Sequence, residues 1–190
     1  MIDTTARASV KIRLGIPSAT TTFDSIIDEF VLSGVKRLYP IAQREVAIQN
    51  VSVSVDSFGE ASVELSTMTS PALSSRKVEA SSGGLFWPVE DTYHHGTQLI
   101  ARGLSSDVTS LKIYGLTSYE LADVASHLEQ AVLWFAMSEF YDYLAGDKAS
   151  YNIYMQSGAR NVDNMQDESD KYEQKANVYL NDRVMLYGVQ

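Results

Sequence analysis

The stretch from Leu121 to Met137 limits the possible folds most, because it is apolar on nearly every side of a predicted helix. Leu133, Trp134 and Met137 lie opposite a stripe with three- and four-residue steps, formed by Leu121, Val124, Ala125, Leu128, Val132, Phe135 and Ala136. A helix of this kind has to be buried on several faces. We expect it to begin at a Thr117-x-x-Glu120 capping box and to end at Gly146 as a left-handed C-cap.

A second, longer helix is predicted from Asp147, its N-cap, to about Asp182. A heptad-like stripe runs along it, formed by Tyr151, Met155, Gly158, Val162, Met165, Ser169, Tyr172, Ala176 and Tyr179. This stripe contains many small residues, so the helix is expected to lean on neighbouring helices and not to form a free coiled coil. Its other faces are rich in acids. They form either a solvated surface or one that faces DNA or a partner.

Two helices are also predicted before residue 43. The first spans Thr4 to Leu14 and is stopped by Gly15-Ile16-Pro17. The second follows N-cap oxygens at Thr20 to Thr22, holds the helical period from Phe23 to Leu38 and closes at Pro40. In this N-terminal section, basic residues slightly outnumber acidic ones. Such an uneven distribution of charge suits a subunit that stacks head to tail.

Between the helical parts the apolar period changes to two. A strand is predicted from Arg44 to Val55, with a bulge at Gln49-Asn50, and it turns at 56–59 into a partner strand, 61–65. A second hairpin is predicted for 77–80 and 85–89, followed by strands at 99–101 and 108–114. The expected fold is α+β: two N-terminal and two long C-terminal helices with a β-rich insert. As one domain, 1–190, it has helical parts 1–43 and 117–183, an insert 44–116 and a C-terminal tail 184–190.

Composition excludes several classes of protein. The 190 residues include no cysteine, so disulfides and thiol chemistry are absent. No apolar run approaches the length of a membrane helix, and no leader opens the chain, so we expect a soluble protein made in a cytoplasm without membrane partners. The net charge of −9 argues against a protein that grips duplex DNA, because Lys and Arg supply most non-specific affinity.

The sequence offers little sign of catalytic chemistry. His94 and His95 follow Glu90 and Asp91, but adjacent side chains on an extended segment point to opposite sides, and metal-ligand spacing is lacking. His127 is expected to make a hydrogen bond on a helix surface. Nucleotide and hydrolase motifs do not occur. We therefore predict no catalytic residue, no cofactor, no metal and no enzyme activity.

The order of the helical parts resembles the head-to-tail connector proteins of tailed bacteriophages, also called adaptors or head-completion proteins. Residues 8–16, Ala-Ser-Val-Lys-Ile-Arg-Leu-Gly-Ile, followed by the amphipathic helix 23–39, resemble the start of that family. The block 128–147, which contains Ala131-Val132-Leu133 and Phe140-Tyr141-Asp142-Tyr143-Leu144, looks like its next helix. The long last helix and the tail fit its larger members. The resemblance covers roughly half the chain.

The resemblance implies a structural virion protein in the neck, assembled in the host cytoplasm. Twelve copies would form a ring beneath the portal protein, contact a tail or tail-terminator protein and let genomic DNA pass without specific binding. An acidic lumen would repel phosphates and let duplex DNA slide.

The apolar C-terminal tail is the candidate partner interface. Its apolar residues either pack on their own fold or dock on another chain, and the portal is the proposed partner; they are Val184, Met185, Leu186, Tyr187 and Val189.

Two alternatives stay open. One is another neck or tail component, such as a tail terminator, which usually shows a sheet-dominated pattern. The other is a small hydrolase or sugar-binding module on the β insert, with Trp87, Asp91, His94 and His95 as the residues to test.

Overall fold

The computed structural model describes residues 4–39 and 41–187, with side chains described from residue 5 to residue 39 and from 41 to 182. The chain divides into two compact units. Residues 43–118 form one, here called the β unit, and the segments before and after them form the other, the helical unit. The predicted α+β class, with helices flanking a β-rich middle, is confirmed. That the whole chain acts as a single domain stays a prediction.

The described part of the helical unit contains five α-helices: α1 (Thr4–Leu14), α2 (Asp24–Lys36), α3 (Glu129–Gly146), α4 (Lys148–Gln156) and α5 (Met165–Tyr187). α3 lies at its centre and packs against the other four. Buried residues occupy almost every turn of α3, on several sides: Ala131, Val132, Phe135, Ala136, Met137, Ser138, Phe140, Tyr141 and Leu144. The expectation of a helix buried on several faces is confirmed. Among the described residues, no helix is both long and apolar enough to span a bilayer.

Aromatic rings fill the middle of this core. Phe140 makes edge-to-face contacts with Phe23 (5.4 Å between ring centroids) and Tyr154 (5.9 Å), which come from the start of α2 and from α4. The Tyr141 ring stacks on Tyr172 of α5 at 5.8 Å. Such pairs add to the stabilisation that comes from burying the rings. The core therefore joins segments from both ends of the chain.

The predicted start of α3 is wrong. Thr117 is the last residue of a β-strand and pairs with Arg44, so it is not free to cap a helix. Residues 121–123 form a single 3-10 turn, and α3 begins at Glu129 with no side-chain cap. At its other end, Gly146 is the last helical residue and does not have a positive φ, so the predicted left-handed cap is also wrong. Asp147 does cap α4, accepting a hydrogen bond of 2.9 Å from the Ala149 N–H.

The predicted single helix from 147 to 182 is in fact two helices. Gly158 has a φ of +79°, a conformation that ends α4 and that other residues rarely adopt. α5 then begins after Asn164, whose side-chain oxygen accepts from the Gln166 N–H at 3.0 Å. Within α5 the predicted stripe is correct: Met165, Ser169, Tyr172 and Ala176 are buried.

α1 matches its prediction, whereas α2 begins later than its proposed caps. Phe23 occupies the N-cap position of α2 without a side-chain hydrogen bond, so the predicted threonine caps are wrong. Pro40 lies outside the described residues.

The β unit contains two antiparallel sheets built from eight strands: β1 (Arg44–Glu45), β2 (Gln49–Ser52), β3 (Ala61–Glu64), β4 (Ser74–Ser82), β5 (Leu85–Pro88), β6 (Thr92–His95), β7 (Gln98–Ala101) and β8 (Ser110–Thr117). The first sheet has the order β1-β8-β4-β5, with β2 also paired to β8, and the second has the order β3-β7-β6. Buried side chains of both sheets form one small core that includes Val63, Val78, Leu99, Leu111 and Ile113.

One predicted hairpin exists and the other does not. β4 and β5 pair around Gly83 and Gly84, which both have positive φ, as predicted. The turn at 56–59 also forms, with the Asp56 carboxylate accepting from the Glu60 N–H at 2.8 Å. However, β2 pairs with β8 and β3 pairs with β7, so the strands flanking this turn belong to different sheets. The predicted bulge at Gln49-Asn50 is wrong, because both residues pair regularly with β8; the register along β8 shifts by one residue between Glu45 and Gln49.

Candidate assembly surfaces

The residues predicted as the partner interface lie at the end of α5. The backbone of Val184, Met185, Leu186 and Tyr187 is helical, so α5 extends further than predicted. Their side chains, and Val189 as a whole, lie outside the described residues. Their role in binding a partner stays a prediction.

The end of α1 is tied to the segment that follows α4. The buried Tyr154 hydroxyl is 3.0 Å from the carbonyl oxygens of both Leu14 and Arg160, and it can donate to either. The Arg160 N–H points at the same Leu14 carbonyl, at 3.4 Å. This arrangement gives a helix-terminal carbonyl a partner that the helix itself cannot provide.

The basic residues of the N-terminal helices are largely neutralised within the helical unit. Arg7 pairs with Asp28, and the Lys11 ammonium lies 2.8 Å from the Asp24 carboxylate. Arg37, the C-cap residue of α2, pairs with Glu173 of α5, and its guanidinium carbon lies 4.3 Å from the Phe135 ring centroid. These ion pairs link α1 to α2 and the end of α2 to α5. They leave less unpaired positive charge at the surface than the sequence suggests.

The outer face of α5 is acidic. Four of its exposed residues, or residues just before it, carry carboxylates: Asp163, Asp167, Asp170 and Asp182. Up to residue 182, the basic side chains of α5 are Lys171 and Lys175, and Lys171 is already paired with Glu168 at 2.5 Å. This surface therefore repels polyanions such as DNA.

A group of exposed apolar side chains lies on the edge strand β5. Leu85, Phe86 and Trp87 are 74%, 48% and 37% exposed. We call these three residues the hairpin patch. Cross-strand register puts Trp87 beside Ala80, on the side of the core, and Phe86 beside Ser81, on the opposite side. Because successive side chains alternate, the patch presents apolar groups on both faces of the strand.

A small cavity opens in the helical unit between α1, the 3-10 turn and the start of α3. It measures about 170 Å³, and we call it the helical cavity. Its lining is mostly apolar: Thr5, Ala6, Ser9, Leu121, Val124, Glu129, Val132 and Leu133. Glu129 supplies a carboxylate at the rim. The cavity is large enough for one apolar side chain from another molecule.

Sequence reasoning did not identify either feature. The run Leu85-Phe86-Trp87 is a signal that could have revealed the hairpin patch, because three consecutive large apolar residues in a strand cannot all face one core. The helical cavity had no local signal, since its lining comes from segments more than 100 residues apart.

The candidate residues for a hydrolase or sugar-binding site lie on two strands and the link between them, with Asp91 between β5 and β6. Trp87 lies on β5 of the first sheet, whereas His94 and His95 lie on β6 of the second. The His94 ring is 3.2 Å from the Ser75 hydroxyl, and its burial lowers its pKa. No group of three His, Cys, Asp or Glu side chains within the described ranges 4–39 and 41–187 could hold a metal ion.

Comparisons with known proteins give little. No protein-family model and no curated protein sequence matches the chain. One solved structure that does match is described as "Neck of empty GTA particle computed with C6 symmetry". The match has 11% sequence identity, covers 72% of this chain and 78% of that chain, and has a TM-score of 0.29. A TM-score this low does not establish a common fold.

Proposed function

We propose that this chain is a structural virion protein, a head-to-tail adaptor whose copies form a ring beneath the portal of a tailed bacteriophage. One observation carries the proposal: the three segments that resemble the connector family belong to one compact unit. Residues 8–16 overlap α1, residues 23–39 contain α2, and residues 128–147 contain α3. The resemblance therefore follows the core of a structural unit and not scattered stretches of sequence.

The proposed role also accounts for the distribution of charge. A ring that surrounds the genome has to let DNA pass, and the exposed carboxylates of α5 would keep phosphates from binding to a channel wall. The ion pairs that neutralise Arg7, Lys11 and Arg37 remove most of the positive charge with which α1 and α2 could hold DNA. Passage without specific binding is the behaviour we propose for DNA in the ring.

The portal is the proposed partner of the C-terminal tail. In this proposal the apolar side chains of 184–189 insert into the portal, and a tail or tail-terminator protein binds the opposite side of the ring. No catalytic step forms part of the proposal. The protein would occupy the neck of the virion after assembly in the host cytoplasm.

Co-sedimentation with purified portal rings tests this proposal. The full chain should migrate with the portal, and a variant ending at Arg183 should not. A variant lacking only Gln190 is the control, since it keeps every apolar residue of the tail. Circular dichroism of all three proteins separates loss of binding from loss of folding. If the variant ending at Arg183 co-sediments as well as the full chain, the tail is not the contact; if the full chain fails to bind, the adaptor role is wrong.

A further inference from the structure

The edge strand β3 has backbone groups that point away from its sheet. The Leu65 N–H donates to the Thr97 carbonyl at 2.9 Å, so these two residues form a hydrogen-bonded pair. Such pairs alternate along an antiparallel ladder, so the backbone groups of Ser62 and Glu64 face outwards. The Glu64 carbonyl accepts from the Thr67 hydroxyl at 3.0 Å. Within the described part of the chain, the Ser62 N–H, the Ser62 carbonyl and the Glu64 N–H have no hydrogen-bond partner.

Space for another strand lies beside this edge. A groove of about 440 Å³ separates β3 from β2 and from the 67–69 segment. Ser62 and Glu64 line it, and both residues are exposed. The groove is therefore bordered by unpaired backbone groups, which an extended polypeptide can satisfy by adding a strand.

The edge strand β6, on the other side of the same sheet, is open as well. The Arg102 N–H donates to the Asp91 carbonyl at 2.9 Å, which sets the alternation along this ladder. By the same rule, the backbone groups of Thr92 and His94 point away from β7. Neither β3 nor β6 contains proline or lysine, which commonly keep edge strands from pairing. Both edges of the second sheet can therefore accept a strand.

The first sheet is blocked at its β5 edge. The Val89 N–H donates to the Val78 carbonyl at 2.9 Å, so the backbone groups of Phe86 and Pro88 face outwards. Proline has no N–H, and at such a position it prevents growth of the sheet. A head-to-tail contact between unlike sheet edges is therefore favoured through the second sheet.

The two open edges of the second sheet fit each other in direction and in register. β3 and β6 both run antiparallel to β7, so they run parallel to each other. Neighbouring copies in a ring of many subunits differ by a small rotation, which keeps this direction. In a parallel ladder, a residue bonds to the two residues that flank the one opposite it. With His94 opposite Val63, the His94 N–H reaches the Ser62 carbonyl and the Glu64 N–H reaches the His94 carbonyl.

This register continues rows that already exist within one copy. Val63, Leu99 and His94 form one row, and Glu64, Gln98 and His95 form the next. Continuing the second row places His95 of one copy beside Glu64 of the following copy, on the same face of the sheet. A carboxylate and an imidazole in such cross-strand positions attract each other when the imidazole is protonated, and can share a hydrogen bond when it is neutral.

The row at the far end of the contact contains more charges. It places Asp91 of one copy beside Glu60 of the next, and two like charges repel. Arg102 offsets this repulsion, because its guanidinium lies 2.7 Å from Glu60 and attracts Asp91 within each copy. The row therefore contributes two carboxylates and two guanidinium groups, without net charge.

We infer that β6 of one copy adds to β3 of the next, so that the second sheet continues from copy to copy around the ring. This inference rests on the proposed function and names the surface through which copies join. The two edges differ, so the contact is heterologous, and contacts of this type build rings or filaments. One short strand buries far less than the roughly 800 Å² per partner of a stable interface, so a test has to trap the contact.

Disulfide trapping in the natural cysteine-free background provides that test. One protein carries Glu64→Cys and another His95→Cys, and equal amounts are mixed at high concentration with a mild oxidant. The two cysteines lie on paired strands about 5 Å apart, within reach of a disulfide. The expected product is a covalent dimer of twice 21.0 kDa, with at least tenfold less when either protein is oxidised alone. The control, Phe58→Cys, is 85% exposed and should not link to His95→Cys.

A second arm tests whether backbone pairing makes the contact. Ser62→Pro in the Glu64→Cys protein removes an N–H that the single chain does not use, so the fold should be kept and the dimer yield should fall at least fivefold. Ser62→Ala keeps the N–H and should leave the yield unchanged. His94→Pro in the His95→Cys protein, with His94→Ala as its control, makes the same test on β6. It replaces the first pair if circular dichroism shows that Ser62→Pro does not fold.

Three results would overturn the inference. The first is an equal dimer yield with Glu64→Cys and with Phe58→Cys. The second is an equal yield from the proline and alanine variants. The third is strong dimer formation by either single protein alone, since it indicates a symmetric contact. Portal binding by the full chain is measured separately and does not depend on these variants, so failure here is distinct from failure of the proposed function.

Discussion

At the scale of single residues, the tyrosines of the helical core decide how the two ends of the chain are held together. Tyr154 is fully buried and donates its hydroxyl to a carbonyl of Leu14 or Arg160. Tyr141 is fully buried as well, between Phe140 and the stacked ring of Tyr172. A buried hydroxyl is stabilising when it is paired, and ionising it inside the core is unfavourable.

Replacing Tyr154 by phenylalanine should destabilise the protein. The change removes the hydrogen bond and leaves carbonyl oxygens of Leu14 and Arg160 without this donor, so the free energy of unfolding should fall by about 1–2 kcal/mol. Urea unfolding followed by circular dichroism measures the loss. Tyr151→Phe, on the same helix but with a half-buried side chain, is the control and should change stability by less than about 0.5 kcal/mol.

The stability of the protein should fall in alkali. Burial raises the pKa of Tyr141, helped by the neighbouring Tyr154 and Tyr172, and burial also raises the pKa of Tyr154. In the unfolded chain these hydroxyls lose their protons near a pH of about 10. Above that pH, loss of these protons stabilises the unfolded chain relative to the folded one. The contribution of these tyrosines to the free energy of unfolding is therefore complete below pH about 10 and is lost as the pH rises.

The variant Tyr141→Phe checks this dependence. It removes one of the groups with a raised pKa, so unfolding free energies measured between pH 9 and pH 11, a range set by the tyrosine pKa of about 10, should fall less steeply than in the natural chain. Tyr151→Phe should leave the slope as it is. Parallel slopes for the natural chain and Tyr141→Phe would contradict the assignment.

At the scale of helices and strands, close approach of α2 and α3 depends on a glycine. A Cβ atom added at Gly34 would lie 2.8 Å from the Val132 carbonyl oxygen and 3.3 Å from the Phe135 Cβ. Backbone cannot move aside easily, so Gly34→Ala should cost about 1–3 kcal/mol of stability. Gly146→Ala is the matched control at another helical position, where a Cβ meets no atom within 4 Å. It should be neutral or should stabilise by up to about 1 kcal/mol.

The break between α4 and α5 predicts whether replacing Gly158 raises or lowers the stability of the protein. Gly158 has a left-handed conformation and open space around it, so Gly158→Ala should destabilise by about 1–2 kcal/mol through backbone strain alone. In a continuous helix, the same change would stabilise by about 1 kcal/mol. Thermal unfolding of this one variant therefore distinguishes two separate helices from one long helix.

Local sequence patterns predicted those elements that form largely independently of their tertiary neighbours. The helical periods of α1, α2 and α3 and the Gly83-Gly84 hairpin were identified from the sequence because periodicity and turn chemistry are local. The prediction of a capping box at Thr117 is wrong because the strand pairing of Thr117 with Arg44, 73 residues earlier, outweighs a local capping motif. The prediction of a hairpin around the 56–59 turn is wrong for the same reason, because the flanking strands β2 and β3 pair with β8 and β7. The helical cavity could not be predicted from local sequence because it depends on tertiary packing. The hairpin patch could have been predicted from its run of three consecutive large apolar residues.

At the scale of the whole molecule, several apolar and acidic surfaces of the single chain are open to solvent. The helical unit has an aromatic core and internal ion pairs. Yet the hairpin patch, the helical cavity and the acidic side of α5 are open to solvent in the single chain. Contiguous exposed apolar groups are typical of proteins that assemble.

The most direct test of the central claim is the mass of the complex formed with purified portal rings, measured by native mass spectrometry. The account predicts a single assembly in which one complete ring of this chain is added to each portal, with twelve copies as the expected number. A chain that stays at 21.0 kDa beside an unchanged portal mass would contradict it.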